Sequence, residues 1–215
     1  MKAVQIDIVS DVVCPWCVIG FGRLSQALNI VRKEIHADIH WHPFELNPMM
    51  PLDGQNLRHH LAEKYGTSPQ ASESARTTLT QLGHEIGFTF HFNDDMRIYN
   101  TRKAHQLLMW SQTESKQQAL QTALFEAYFT DNQDISAQTV LADLADSVGL
   151  ERQTAIKVIN DETWAYTVSK TEQQWLEAGI NAVPALVFNR KHLVSGAQTV
   201  EVLVEVIRDI AMDVD

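Results

Sequence analysis

The sequence predicts an α/β fold in which a strand–helix–strand unit opens the chain, a strand–strand–helix unit closes it, and a large all-helical insertion lies between. Three observations carry this. Val4 to Val9 is apolar and β-branched apart from Gln5 and Asp7. A helical stripe at Cys17, Val18, Phe21, Leu24 and Leu28 follows it, and strand character resumes from Ala37 to Phe44. Near the end, Ala185-Leu186-Val187-Phe188, the polar turn Asn189-Arg190-Lys191 and His192-Leu193-Val194-Ser195 read as a hairpin. One domain split by an insertion explains this order better than two domains in series. Its parts are residues 1–50 and 176–215, with the insertion at 51–175.

Taken in order, Pro15 suits the first turn of the opening helix, where its missing N–H costs nothing. Pro43 and Pro48 end the second strand. Phe88, Phe90 and Phe92 alternate with Thr89 and His91, which predicts a short extended stretch. Ala119, Leu120, Ala123, Leu124, Ala127 and Tyr128 form one helical stripe. Val140, Leu141, Leu144 and Val148 form another, with Ser136 as N-cap and Gly149 as C-cap. Asp161 caps a helix carrying Trp164, Val168, Trp175 and Leu176 and ending at Gly179. The chain closes on a helix with Val202, Leu203, Val206, Ile207 and Ile210. From about Leu57 to Trp175 the helices are expected to form a lid over the α/β core, since so long a stretch without secondary structure would be improbable.

Composition narrows the function classes. The 215 residues are 45% hydrophobic and 20% charged, a balance that buries a core without disulfide staples. With 27 acidic against 17 basic residues the net charge is −10, which disfavours nucleic acid and anionic membrane surfaces as partners. The N-terminus has no long apolar run, so neither a signal peptide nor a membrane span is expected, and the cytoplasm is the default location. Structural disulfides are rare there. Two cysteines spaced C-x-x-C therefore point to redox chemistry or to a metal.

Cys14 falls at the start of the first helix, where unpaired N–H groups and the helix dipole favour a thiolate. Pro15 offers no N–H, so the donors are expected from Trp16 and Cys17. Cys17 lies one turn in, on the same side and more buried. This makes Cys14 the nucleophile and Cys17 the resolving thiol. An inert thiol pair and a zinc site are the rivals. Cys14, Cys17, His36 and His40 resemble a ligand set, but the 18 residues between Cys17 and His36 exceed the usual spacing, and the histidines share no helix face. No metal is expected. Val183-Pro184 stands immediately before a strand, where proline removes no ladder donor.

Four stretches carry a resemblance to a known family: Ser10-Asp11 with Cys14-Pro15-Trp16-Cys17, Pro43-Phe44-Glu45-Leu46-Asn47-Pro48, Asn100-Thr101-Arg102-Lys103-Ala104-His105, and Ser195-Gly196-Ala197-Gln198. The chain resembles the DsbA family of the thioredoxin superfamily, and within it the cytoplasmic FrnE-type branch. The resemblance implies a thioredoxin-like fold with a helical insertion. It implies a thiol-disulfide oxidoreductase acting on protein thiols and disulfides or on small thiols, with no cofactor beyond glutathione as a co-substrate. It further implies that Pro184 is cis and packs against the cysteine pair, and that Val183 offers backbone groups to a substrate strand. Ala182 departs from a frequent glycine, and Ala185-Leu186 replaces a bulky aromatic pair. The kappa-class glutathione transferases and the hydroxychromene-carboxylate isomerases share the plan but carry serine at the place of Cys14. A glutathione-dependent isomerase or transferase is therefore the second reading, and a client-binding chaperone module the third.

Weaker candidates surround the pair. Pro15 and Trp16 are expected to contact substrate, with Trp16 as an apolar surface over the site. Asn100 is a helix N-cap or a cleft residue, and His105, one turn further, could face the same cleft. Asp7 is either a proton acceptor near Cys17 or a solvent-facing edge residue. Trp41, Trp110, Trp164 and Trp175 read as core. Since Trp16 supplies no positive charge between the cysteines, the expected potential is about −150 to −250 mV, between thioredoxin and DsbA.

Overall fold

In the computed structural model, which describes residues 1–51 and 53–212, strand β1 (Lys2–Ser10) pairs along its whole length with β2 (Ile35–Pro43). The two run parallel, from Lys2 opposite Ile35 to Ser10 opposite Pro43. Parallel neighbours need a crossover, and helix α1 (Pro15–Val31) supplies it. On its other side β1 pairs antiparallel with β5 (Ala185–Phe188), which pairs antiparallel with β6 (His192–Ser195). The order across the sheet is β2-β1-β5-β6.

Strand alternation sorts the side chains onto two faces. Val4, Ile6 and Ile8 are buried in one cluster with Val18, Ile19 and Leu24 of α1 and with Leu203 and Ile207 of α9 (Val200–Met212). The parallel register adds Ala37, Ile39 and Trp41 to that face. Val9, Ala185 and Val187 form a second cluster with Phe44 and Ile180 on the opposite face.

Between β2 and β5 run α2 (Leu57–Tyr65), α3 (Pro69–Glu85), α4 (Arg102–Thr113), α5 (Gln117–Phe129), α6 (Gln138–Ser147), α7 (Arg152–Ile159) and α8 (Glu162–Glu177). The sequence boundary at 175/176 falls inside the last turn of α8. A two-residue ladder, β3 (Gln55–Asn56) against β4 (Arg97–Ile98), interrupts the helices. The Phe88–Phe92 stretch pairs with no strand among the described residues. Its rings pack instead around Phe129, with Phe90 stacked on Phe92 at 5.3 Å and the His91 N–H bonded to the Phe129 carbonyl.

Asp161 caps α8 as expected, accepting from the Thr163 N–H at 2.7 Å. Ser136 does not cap α6. Its N–H and hydroxyl both turn back to Asp134 Oδ1, at 2.9 and 2.6 Å, and the helix begins after Ala137 with no side-chain cap. An aspartate two residues upstream competes locally for the same groups and wins. Gly149 and Gly179 follow their helices at φ +84 and +89, where glycine stops a helix without steric cost.

Candidate active site

Cys14 is the N-cap of α1, held at φ −92 and ψ 110 by Pro15 behind it and by its own N–H bonded to the Asp11 carbonyl at 3.1 Å. The expected donors do not reach its sulfur. The Cys17 N–H bonds instead to the Cys14 backbone oxygen at 3.0 Å, and Cys14 takes no side-chain capping bond. Both residues are free thiols and both are buried, at 4% and 1% exposure. Exposure alone therefore does not separate them. The difference is that Cys14 lines a cavity and Cys17 does not. Burial, followed by the adjacent Cys14 thiol, pushes the Cys17 thiol well above its ordinary pKa; the Ser10 hydroxyl and the Asp11 backbone pull it only partly back. Cys17 is thus held protonated behind a chamber-facing Cys14.

Across the pair lies the start of β5. The Val183–Pro184 peptide is cis, and the Cys14 thiol stands 3.9 Å from the Val183 carbonyl oxygen. Continuing the β1–β5 register places Pro184 opposite Ser10. Gly20 of α1 lets the helix approach this point, since a Cβ there would sit 3.1 Å from Pro184 Cγ.

The cavity at Cys14 has a volume of about 420 Å³, within the usual range for small-molecule sites. Its floor includes Cys14, Pro15, Trp16 and Val183 of the α/β part, with Trp16 itself 44% exposed. Its far wall comes from α2 and α3, chiefly Leu57, Leu61, Ser72, Arg76 and Leu79. Segment 44–48 fastens that wall. Lys64 Nζ bonds to the Leu46 carbonyl at 2.8 Å and to Asn47 Oδ1 at 2.7 Å, while His60 Nε2 meets the same Asn47 oxygen at 3.0 Å.

Behind the pair is a buried polar network. Asp11, fully buried, accepts from the Leu46 N–H at 2.8 Å and contacts His105 Nε2 at 3.3 Å. Buried Glu45 pairs with Arg102, whose Nε donates to Glu45 Oε2 at 2.7 Å. Arg102 also donates to Ser169 Oγ on α8. The Glu172 carboxylate accepts from the Glu45 N–H at 2.6 Å, and burial pushes its carboxyl up in spite of that bond. These residues tie α4 and α8 to the loop that carries the cavity.

The structure therefore brings Cys14, Pro15, Trp16 and Val183 together at one cavity, with Cys17 and Pro184 immediately behind. Asn100 and His105 do not line it. Asn100 donates to the Met50 carbonyl at 3.2 Å and accepts from the Arg102 N–H at 3.0 Å, so it does satisfy the first turn of α4, one residue ahead of the N-cap position held by Thr101. His105 is buried against Asp11. Both readings of Asp7 fail, because it is buried on the sheet face away from Cys17. There it is bonded to His42 Nε2 at 2.8 Å and to Gln5 Nε2 at 2.9 Å. The sequence reading assigned no role to Ser72, Arg76 or Asp11. The signal for the first two was a serine and an arginine at i, i+4 on the stripe that also carries Leu79 and Gly83. Among the described residues no group of three or more His, Cys, Asp or Glu side chains is placed to hold a metal, and no helix is long and apolar enough to cross a membrane.

Comparison with known proteins adds a family and three folds. The family described as DSBA-like thioredoxin domain matches residues 5–208. The crystal structure of the probable DsbA oxidoreductase SCO1869 from Streptomyces coelicolor is 27% identical, with a TM-score of 0.91 over 99% of this chain and 91% of that one. The cytosolic disulfide reductase DsbM from Pseudomonas aeruginosa shares the fold at 15% identity and a TM-score of 0.66, over 97% and 99% of the two chains. A 2-hydroxychromene-2-carboxylate isomerase does so at 14% identity and a TM-score of 0.72, over 97% of each.

Proposed function

The chain belongs to the DSBA-like thioredoxin domain family, and on that premise we propose that it is a thiol-disulfide oxidoreductase working through Cys14 and Cys17. The observation that carries the reading is the asymmetry of the pair: Cys14 lines the cavity, whereas Cys17 is buried one turn behind it with its proton held. The Cys14 thiolate attacks one sulfur of a substrate disulfide and expels the other as a thiolate. Cys17 then gives up its proton and attacks the Cys14 sulfur of the mixed disulfide. The second substrate sulfur leaves, and the Cys14–Cys17 disulfide remains. Two electrons pass from the protein to the substrate, and the reverse sequence oxidises a dithiol.

Placement in the FrnE-type branch, work in the cytoplasm, and glutathione as the thiol that resets the pair belong to the same proposal. The four sequence stretches support them, and a cytosolic disulfide reductase shares the fold. In a reducing glutathione pool a pair poised at about −150 to −250 mV rests mostly as the dithiol, and the protein then acts as a reductase or isomerase. The test is insulin reduction combined with equilibration in defined glutathione ratios, read by thiol mass shifts. The expected result is one reversible two-electron transition in that window. Absence of any reversible disulfide would put the glutathione-dependent isomerase or transferase, or the chaperone module, ahead.

A further inference from the structure

The wall of the cavity opposite Cys14 is unlike its floor. Helix α3 turns Ser72, Ala75, Arg76 and Leu79 toward it, with serine and arginine where a packing helix carries aliphatic side chains. Ser72 and Arg76 are only 5% and 9% exposed. Ser72 Oγ and the Arg76 Nε and Nη2 are buried without a hydrogen-bond partner among the described residues. Buried donors of this kind are costly unless an acceptor meets them.

The neighbours do not satisfy them. The remaining Arg76 nitrogen, Nη1, reaches Asp94 Oδ1 at 3.3 Å, but Arg58 holds that same oxygen at 2.7 Å. The Phe92 ring lies 6.0 Å from the guanidinium. His60, also in the wall, spends its ring nitrogens on Gln55 and Asn47, at 3.0 Å each. Arg76 also borders the groove on the outer side of α3, but there the carboxylates of Glu73 and Asp94 repel anions. On the cavity side no acidic side chain lines the wall.

We infer that the cavity takes a small molecule with an apolar body, a carboxylate received by Arg76 and Ser72, and a disulfide or thiol sulfur presented to Cys14. This rests on the redox reading of the Cys14–Cys17 pair and names its substrate class. A chamber of about 420 Å³ suits one such molecule rather than a folded partner. Leu57, Leu61, Leu79 and Ile98 supply the apolar contact. A planar guanidinium with two buried, unpartnered nitrogens matches a carboxylate better than any other group in the wall.

The test uses the full reduced chain and two aryl disulfides, dithiobis(nitrobenzoate), which carries carboxylates, and the smaller neutral dithiodipyridine, each variant being compared with the wild type on the same probe. With each, Cys14 displaces one aryl thiolate and Cys17 the second, so the pair is oxidised and the released thiol is read by absorbance. Arg76→Gln is expected to slow the carboxylate probe by about tenfold and the neutral probe by no more than about twofold. Ser72→Ala is expected to slow the carboxylate probe by about threefold. If Arg76→Gln does not fold, Arg76→Lys, which keeps the charge and loses the planar fork, should give an intermediate loss on the carboxylate probe alone. Equal slowing of both probes, or of neither, overturns the carboxylate assignment while leaving the redox reading standing. A wild-type protein that reacts with neither probe overturns the redox reading and this inference with it.

Discussion

The Cys14 thiol lies 3.9 Å from the backbone carbonyl of Val183, although 169 positions separate the two in the chain. The β1–β5 register makes this contact. Val9 opposite Ala185 puts the residues after β1 beside the residues before β5, and α1 then starts with its first side chain over that junction. In the proposed exchange reaction, a substrate backbone laid along Val183 would be brought to the sulfur.

The two cysteines should behave differently. In the reduced protein near neutral pH, limiting iodoacetamide is expected to label Cys14 first, because only Cys14 lines the cavity. Cys14→Ser should abolish disulfide exchange, and Cys17→Ser should accumulate mixed disulfides with substrate. Peptide mass mapping reads both, and first labelling at Cys17 would reverse the roles.

The resolving step should carry the signature of a buried thiol. The Cys17 pKa is raised by burial and then by Cys14, so its thiolate is scarce at neutral pH and grows about tenfold per pH unit below the folded pKa. Release of a preformed mixed disulfide at Cys14 is expected to accelerate from about pH 6 to about pH 9 without levelling. The sign for stability follows. A raised folded pKa contributes fully below the unfolded thiol value of about 8.5 and is lost as pH climbs toward the folded one. The reduced wild type should therefore lose more melting temperature above that pH than Cys17→Ser does. A plateau near neutrality in the release rate would show a resolving thiol that is already ionised.

On the far face of the sheet, Asp7 should set part of the acid stability. Burial pushes its carboxyl up, but the bonds from His42 and Gln5 outweigh that and hold it below the ordinary value. A depressed carboxylate stabilises above its unfolded pKa, and that contribution is lost as pH falls through the folded one. His42→Ala removes the closest partner, at 2.8 Å, and is expected to cost about 1–3 kcal/mol at neutral pH. It should also move the acid-unfolding midpoint upward. An unchanged midpoint in a circular-dichroism titration would count against the couple.

At Gly83, helix propensity and packing oppose each other. Alanine would gain up to about 1 kcal/mol of helix propensity. Its Cβ, however, would stand 2.6 Å from Phe90 Cδ2 and 2.8 Å from the Phe88 backbone oxygen. Backbone cannot swing aside as a side chain can, so Gly83→Ala is expected to destabilise by about 1–3 kcal/mol. Chemical denaturation would show it, and a gain in stability would mean that the Phe88–Phe92 stretch shifts freely.

Much of this architecture was legible before any coordinates, because its signals are local. The apolar β-branched run at Val4–Val9, the helical stripe from Cys17 to Leu28 and the polar turn at Asn189–Lys191 each report the backbone conformation of their own segment. Asp161 was readable as a cap for the same reason. Ser136 was misread because Asp134, equally local, competed for the same groups. Asn100 was half legible, since its capping oxygen serves the helix but its amide belongs to segment 48–50, 50 or more positions away in sequence.

By itself the sequence determined the elements and their order, and the placing of Cys14-Pro15-Trp16-Cys17 at the start of a helix with Pro184 at the start of a strand. Spacing and residue type are sufficient for those, because helix, strand and turn are decided over a few residues. Only the tertiary structure decided which sulfur faces a cavity, that Asp7 pairs with His42 rather than serving Cys17, and that Ser72 and Arg76 of α3 stand across from Cys14. The physical reason is that burial and electrostatic environment depend on everything within a few ångströms. At this site those neighbours come from β1, α1, α2, α3 and the start of β5, which only the closed fold brings together.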